Sequence, residues 1–139
     1  MRKINVILFY VFSVNTWAAL GDRVEFYQIQ KNTHIDNLYT VSEIKKNSVL
    51  IREYAAGGFV FAVTWEGLGQ PELPVLLGKY FGDYQESAAQ TPRIRGVRFQ
   101  RRVEGQRVVV ETYGHMRSLQ GRAYAPDLMP KGVHLNEIK

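Results

Sequence analysis

The chain has 139 residues, 45% of them hydrophobic and 22% charged, with a formal charge of +5 and no cysteine. This length suits one domain around one core, and the missing cysteine excludes disulfides, thiol catalysis and a lipid-modified cysteine. The positive balance is mild: it favours solubility and weak attraction to anionic surfaces and does not by itself indicate a nucleic-acid binder.

Met1-Arg2-Lys3 opens the chain. An apolar run from Ile4 to Val14 follows, interrupted by Asn5, and then Asn15-Thr16-Trp17-Ala18-Ala19. A positive start, a short apolar run and small residues behind it predict a secretory signal peptide. Cleavage after Ala18 puts Thr16 and Ala18 at the two small-residue positions, with cleavage after Ala19 as the neighbouring alternative. The run is shorter than the roughly 20 apolar residues that span a bilayer, so the mature chain is expected to have no transmembrane segment. The expected organisation is a signal peptide over 1–18 and a single domain over 19–139, exported to the periplasm or the medium. Loss of Arg2 and Lys3 lowers the formal charge from +5 to +3.

From Ala19 to Asn37 the pattern is weak, and Lys31-Asn32-Thr33-His34 reads as a loop. Tyr39, Val41 and Glu43 alternate with Thr40, Ser42 and Ile44 at a strand period. Lys45-Lys46-Asn47-Ser48 breaks it, and Asn tolerates the positive φ of a tight hairpin. Val49–Tyr54 returns as a second strand, and Ala56-Gly57-Gly58 turns it into Phe59–Trp65, apolar on both faces and therefore central. Phe59, Phe61, Val63 and Trp65 are expected to share the face that meets a helix. Arg52 and Glu53 point to opposite faces, so they do not pair with each other; one is expected to pair across the sheet with a late-chain residue and set register.

Pro71 suits the first turn of a helix. Behind it Leu73, Leu76, Leu77, Tyr80, Phe81 and Tyr84 form one stripe at helical period. Gly78 and Gly82 lie on the other side of that helix, where another segment could cross closely. After a polar connection to Pro92, Val97, Phe99 and Val103 alternate with Arg98, Gln100 and Arg102 as a strand with one wet face. Glu104-Gly105-Gln106 turns it into Arg107–Tyr113, and the chain continues past Gly114 to Tyr124. Ala125–Val133 is a proline-punctuated closing loop.

Six arginines fall between Arg93 and Arg107, offset only by Glu104. Arg98, Arg101, Arg102 and Arg107 could form an anion-binding strand face; equally, they could lie over neighbouring strands as a solvated face that discourages edge pairing. The three histidines, His34, His115 and His134, share no metal-ligand spacing. Gly114-His115-Met116-Arg117 sets a histidine beside an arginine, so His115, Arg117 and Arg122 are the candidate anion or acid/base residues; an ordinary strand bend has the same composition. No nucleophile-elbow pattern surrounds any serine, so no catalytic residue is assigned.

Four pieces carry a family resemblance: Tyr39-Thr40-Val41-Ser42-Glu43-Ile44; Arg52-Glu53-Tyr54; Val60-Phe61-Ala62-Val63-Thr64-Trp65-Glu66-Gly67 with Leu76-Leu77-Gly78-Lys79-Tyr80-Phe81; and Gly114-His115-Met116-Arg117 leading to Gly121-Arg122-Ala123-Tyr124 and Pro130. In that order and spacing the sequence resembles a family of small exported bacterial proteins known as domain of unknown function 2844. It departs from the family at Leu68, where a proline is usual. The resemblance implies a Gram-negative envelope setting and no activity, and it carries over no functional residue.

The expected fold is α+β: an antiparallel, meander-rich sheet of about five or six strands with one main amphipathic helix packed on one face. The expected function is a non-enzymatic binding or structural module of the bacterial cell envelope, with an envelope protein or polymer as partner, no nucleic acid and no cofactor or metal. The alternative is a small anion-binding protein or enzyme using His115 and Arg117.

Overall fold

Alternating apolar and polar residues, punctuated by Asn47-Ser48 and Gly57-Gly58, build the sheet. The computed structural model of the protein describes residues 18–24, 38–93 and 100–139, together with the backbone of Asn32–Ile35. The strands are β1 (Asn32–Ile35), β2 (Tyr39–Lys46), β3 (Val49–Ala56), β4 (Phe59–Gly67), β5 (Arg101–Glu104), β6 (Val109–His115) and β7 (Ser118–Tyr124). Between β4 and β5 lies one helical stretch: α1 (Leu73–Leu77), a 3-10 turn (Gly78–Tyr80) and α2 (Phe81–Gln90). The strand order is β1-β2-β3-β4-β7-β6-β5, antiparallel throughout. Two meanders thus meet edge to edge at β4 and β7, and the helical stretch carries the chain from the centre of the sheet to its far edge. The α+β class is as expected, with the four-residue β1 added at an edge where a loop was expected.

Both predicted turns have the backbone their residues suit. Asn47 and Ser48 have φ of 47° and 64°, and Gly57 and Gly58 have 60° and 82°. These positive values match the primed turns that the twist of a hairpin favours.

One face of the sheet meets the helical stretch. Leu76, Leu77 and Tyr80 pack on Ile51, Val63, Trp65 and Val110, while Leu73, Phe81 and Tyr84 cover the margin of this core. Leu77 is fully buried, and such a side chain contributes about 1.5–3 kcal/mol. The helix begins two residues after Pro71, and Pro74 takes the first-turn position. Gly78, at φ 51°, ends α1. A Cβ there would stand 2.8 Å from the Cβ of Ala19, so the close crossing expected at the helix glycines occurs at Gly78. Beside Gly82 there is open space.

The crossing segment is residues 18–24, which enters between helix and sheet. Leu20 is fully buried and donates its N–H to the carbonyl of Leu76 at 2.9 Å. Gly21 donates to Val60 at 2.7 Å, and Val60 to Asp22 at 3.0 Å.

Phe61 is not on the helix face. Ala55 pairs with Val60 but Tyr54 with Ala62, so Phe61 is the extra residue of a β-bulge. A bulge inserts one residue and inverts the alternation beyond it. Val63 and Trp65 therefore face the helix, Phe61 and Ala62 face the other side, and Phe59 is largely exposed. On that other side Phe61 stands edge-on to Tyr39, with ring centroids 5.9 Å apart. Residues 125–139 cover this second core through Leu128, Met129, Val133, Leu135 and Ile138.

Gly121 sits opposite Trp65 in the β4–β7 pair. A Cβ at this position would overlap the indole and lie 2.9 Å from the carbonyl oxygen of Glu111. Gly121→Ala is therefore expected to lower unfolding stability by about 1–3 kcal/mol, as overpacking does, measured as a shifted urea midpoint with an unchanged slope.

Candidate functional site

The polar residues of the second face fall into one line. Register places Glu43 opposite Arg52, Arg52 opposite Thr64, Thr64 opposite Arg122, Arg122 opposite Glu111 and Glu111 opposite Arg102. The row crosses six strands, with an arginine on each side of Thr64 and a carboxylate next to each of those arginines. Arg52 bonds Glu43 at 3.0 Å and Glu66 at 3.2 Å. Glu111 is held between Arg122 and Arg102, and Arg102 also bonds Glu104. Burial pushes the Glu111 carboxyl up, but the two guanidiniums outweigh it and hold it below the usual carboxylate range.

The C-terminal segment closes over this row. The Lys139 carbonyl oxygen accepts from Tyr54 Oη at 2.7 Å, Thr64 Oγ1 at 3.2 Å and Arg52 at 3.4 Å. Arg122 donates to the carbonyls of Leu135 at 2.7 Å and Ile138 at 3.4 Å. An open groove of about 450 Å³ lies beside this seam, lined by Arg52, Glu66, Tyr113, Gln120 and Arg122 among others. Both of its arginines already bond carboxylates and backbone carbonyls, so the row acts first as a clamp between strands and tail.

The second grouping lies where three loops meet at one end of the sheet. Gly67 pairs with Val49 on one side and Leu119 on the other, and Leu119 pairs with Gly114. The N–H of Leu68 bonds the carbonyl of Ser48 at 3.3 Å. The β2–β3 turn, the exit of β4 and the β6–β7 turn are therefore neighbours. Met116 is 81% exposed there and Leu68 63%, with Lys45, Lys46, His115 and Arg117 also exposed at the same end. Among the described residues no group of three or more His, Asp or Glu could hold a metal ion. No helix of the described residues is long and apolar enough to cross a membrane.

Residues 16–138 match a sequence family described as Protein of unknown function (DUF2844). The chain belongs to that family. No curated protein and no solved structure matches it.

In this DUF2844 chain the candidate residues take different places. His115 and Arg117 share the exposed β6–β7 turn, where Arg117 has a φ of 70°. Arg122 is opposite Glu111, four residues before His115 along β6, which separates it from His115 by roughly 13 Å along the strand. The structure brings the first two together and leaves the third in the clamp.

The arginine-rich stretch of the DUF2844 fold is likewise divided. Arg101 donates to the carbonyls of Ala88 and Thr91, neutralising the negative end of α2. Arg102 joins the charged row, and Arg107 lies over the Tyr80 ring, 5.3 Å from its centroid. Arg98 lies outside the described residues, as do Val97 and Phe99 of the expected strand and residues 1–17 of the expected leader.

The bond expected from Arg52 or Glu53 to a late-chain residue is made by Arg52, which reaches the Lys139 carbonyl. Its ion pairs, however, are to Glu43 and Glu66. Glu53, the other residue of that expectation, is buried on the helix side, 5% exposed, deeper than the half-burial expected. Period two already set it between Ile51 and Ala55, and a carboxyl between two core residues was the available signal.

Proposed function

We propose that this protein is an exported, non-enzymatic module of the bacterial cell envelope that binds an envelope protein through the three-loop end of its sheet. Export rests on the charged, apolar and small-residue pattern of residues 1–18. The observation that carries the binding surface is Met116, the most exposed large apolar side chain of the described residues, flanked by His115 and Arg117. Leu68 adds apolar area, and Lys45 and Lys46 add positive charge. Exposed apolar side chains with a cationic rim suit a partner with an apolar patch and an acidic rim.

Arg117 adds a second support. Its left-handed backbone costs a non-glycine residue roughly 1–2 kcal/mol, and a glycine would sit there unstrained. A cation kept in a strained turn beside an exposed methionine is consistent with use of that turn in recognition. The non-enzymatic part of the proposal rests on the charged row, whose members are bonded to one another and to the tail.

The test is a pull-down from envelope extract with the mature chain as bait, beside a Leu68→Glu/Met116→Glu variant that melts like the wild type. A partner retained by the wild type and reduced at least tenfold by the variant is expected, since interface anchors each contribute about 1–2 kcal/mol or more. Empty eluates across conditions contradict the proposal. So does capture that ignores the variant and falls steeply with salt, the mark of a polyanion contact.

A further inference from the structure

Glu53 projects from β3 into the core between helix and sheet, 95% buried, since its relative exposure is 5%. Its Oε1 has no hydrogen-bond partner among the described residues, and the carboxyl takes a backbone hydrogen bond from Ala18. Burial drives its pKa up to about 7, with the Ala18 N–H opposing, and no charged side chain among the described residues contributes. A buried carboxyl without a charged partner is costly to a fold.

The neighbouring backbone is the segment that a leader peptidase would trim. Residues 19–21 are buried and held by the bonds of Leu20 to Leu76 and Gly21 to Val60. Ala19 is only 8% exposed and lies against Gly78. A new chain start at Ala19 would leave an ammonium group at its nitrogen, one peptide unit from the N–H that now bonds Glu53. That ammonium would itself be buried and in need of an anion.

We propose that Glu53 is the counter-ion of the α-amino group freed by cleavage after Ala18, so that removal of the leader completes a buried ion pair and locks the mature N-terminus between helix and sheet. This rests on reading residues 1–18 as a removable leader. Because Ala19 is buried and Ala18 half-buried in the folded domain, cleavage precedes folding, and the pair forms as the domain closes.

The test uses two chains released from a cleavable tag, one beginning at Ala19 and one with Gly-Ser ahead of Ala18, each with Glu53 and with Glu53→Gln. Urea unfolding at pH 7.5 is expected to give the Ala19 chain an unfolding constant at least tenfold smaller than the extended chain, equivalent to one unit of differential ionisation. With Glu53→Gln the two chains should agree within about twofold, the cycle isolating the pair. An advantage that survives Glu53→Gln, no advantage at all, or an Ala19 chain that does not fold overturns the pairing. Intact mass of the native protein recovered from its host separately tests the leader: a mass for 19–139 supports it, and a start at Leu20 or upstream of Ala19 overturns the assignment to Ala18 whatever the unfolding data show.

Discussion

Leu77→Asp is expected to abolish folding. Leu77 is fully buried, midway along the stripe that closes the helix onto the sheet. The substitution removes a large apolar side chain, worth about 2–5 kcal/mol when truncated, and puts a carboxylate in its place among the packed side chains of this hydrophobic cluster. Burying such a group costs several kcal/mol more, against a total stability of about 5–15 kcal/mol. No cooperative thermal transition should remain, by circular dichroism or calorimetry. Leu77→Met conserves volume and should cost less than about 1.5 kcal/mol, so it separates the buried charge from mere disturbance of the site. A soluble Leu77→Asp chain with a sharp transition would mean that the helix does not close this core.

The second large effect is on pH dependence. In the folded chain extended beyond Ala18, Glu53 has its pKa pushed from 4.5 up to about 7, by burial against the opposing Ala18 N–H. The folded state therefore holds this proton more tightly than the unfolded state does. By linkage, the associated stability is fully present below about pH 4.5 and is lost as pH rises through about 7. The loss is roughly 3 kcal/mol, at about 1.4 kcal/mol per unit. Asp83 works in the other direction. Burial raises its carboxyl, but N–H donors of Arg107 and Gln106 outweigh that and hold it below its usual value; its contribution is lost in acid, as is that of Glu111. The difference between the chain extended beyond Ala18 and its Glu53→Gln variant across pH 4.5–8 isolates Glu53. The extended chain with Glu53 should lose stability relative to its Glu53→Gln variant over this interval, and parallel profiles would contradict the buried-carboxyl account.

Local chemistry made the first meander legible. Asn47 and the Gly57-Gly58 pair announce their turns because positive φ is a property of single residues, and the Leu76/Leu77/Tyr80 stripe announces its helix because 3.6-residue periodicity is local. Phe61 was misplaced for a definite reason: the strand period holds only while each residue has one partner, and the bulge between Val60 and Ala62 breaks that condition without a glycine or proline to mark it. β1 was missed because Asn32-Thr33-His34-Ile35 has the composition of a loop; it becomes a strand by pairing with β2.

The charged row could not be assembled from sequence. It depends on register between β4 and β7, which are more than fifty residues apart in the chain. Arg52, Glu111 and Arg122 become neighbours only once both meanders have met. The same holds for the tail, since residues 125–139 carry no period and reach their place through Tyr54, Thr64 and Arg122. The exposed turn with His115 and Arg117 was legible as a pair. Its neighbourhood with Leu68 and Ser48 was not, because those contacts cross three strands.

The most direct test places a photo-crosslinking residue at position 116 in the living host, with position 86 on the exposed side of α2 as control. The account predicts a discrete adduct with an envelope protein from position 116, formed outside the cytoplasm, and none from position 86. Adducts with cytosolic proteins, or equal patterns from both positions, would contradict it.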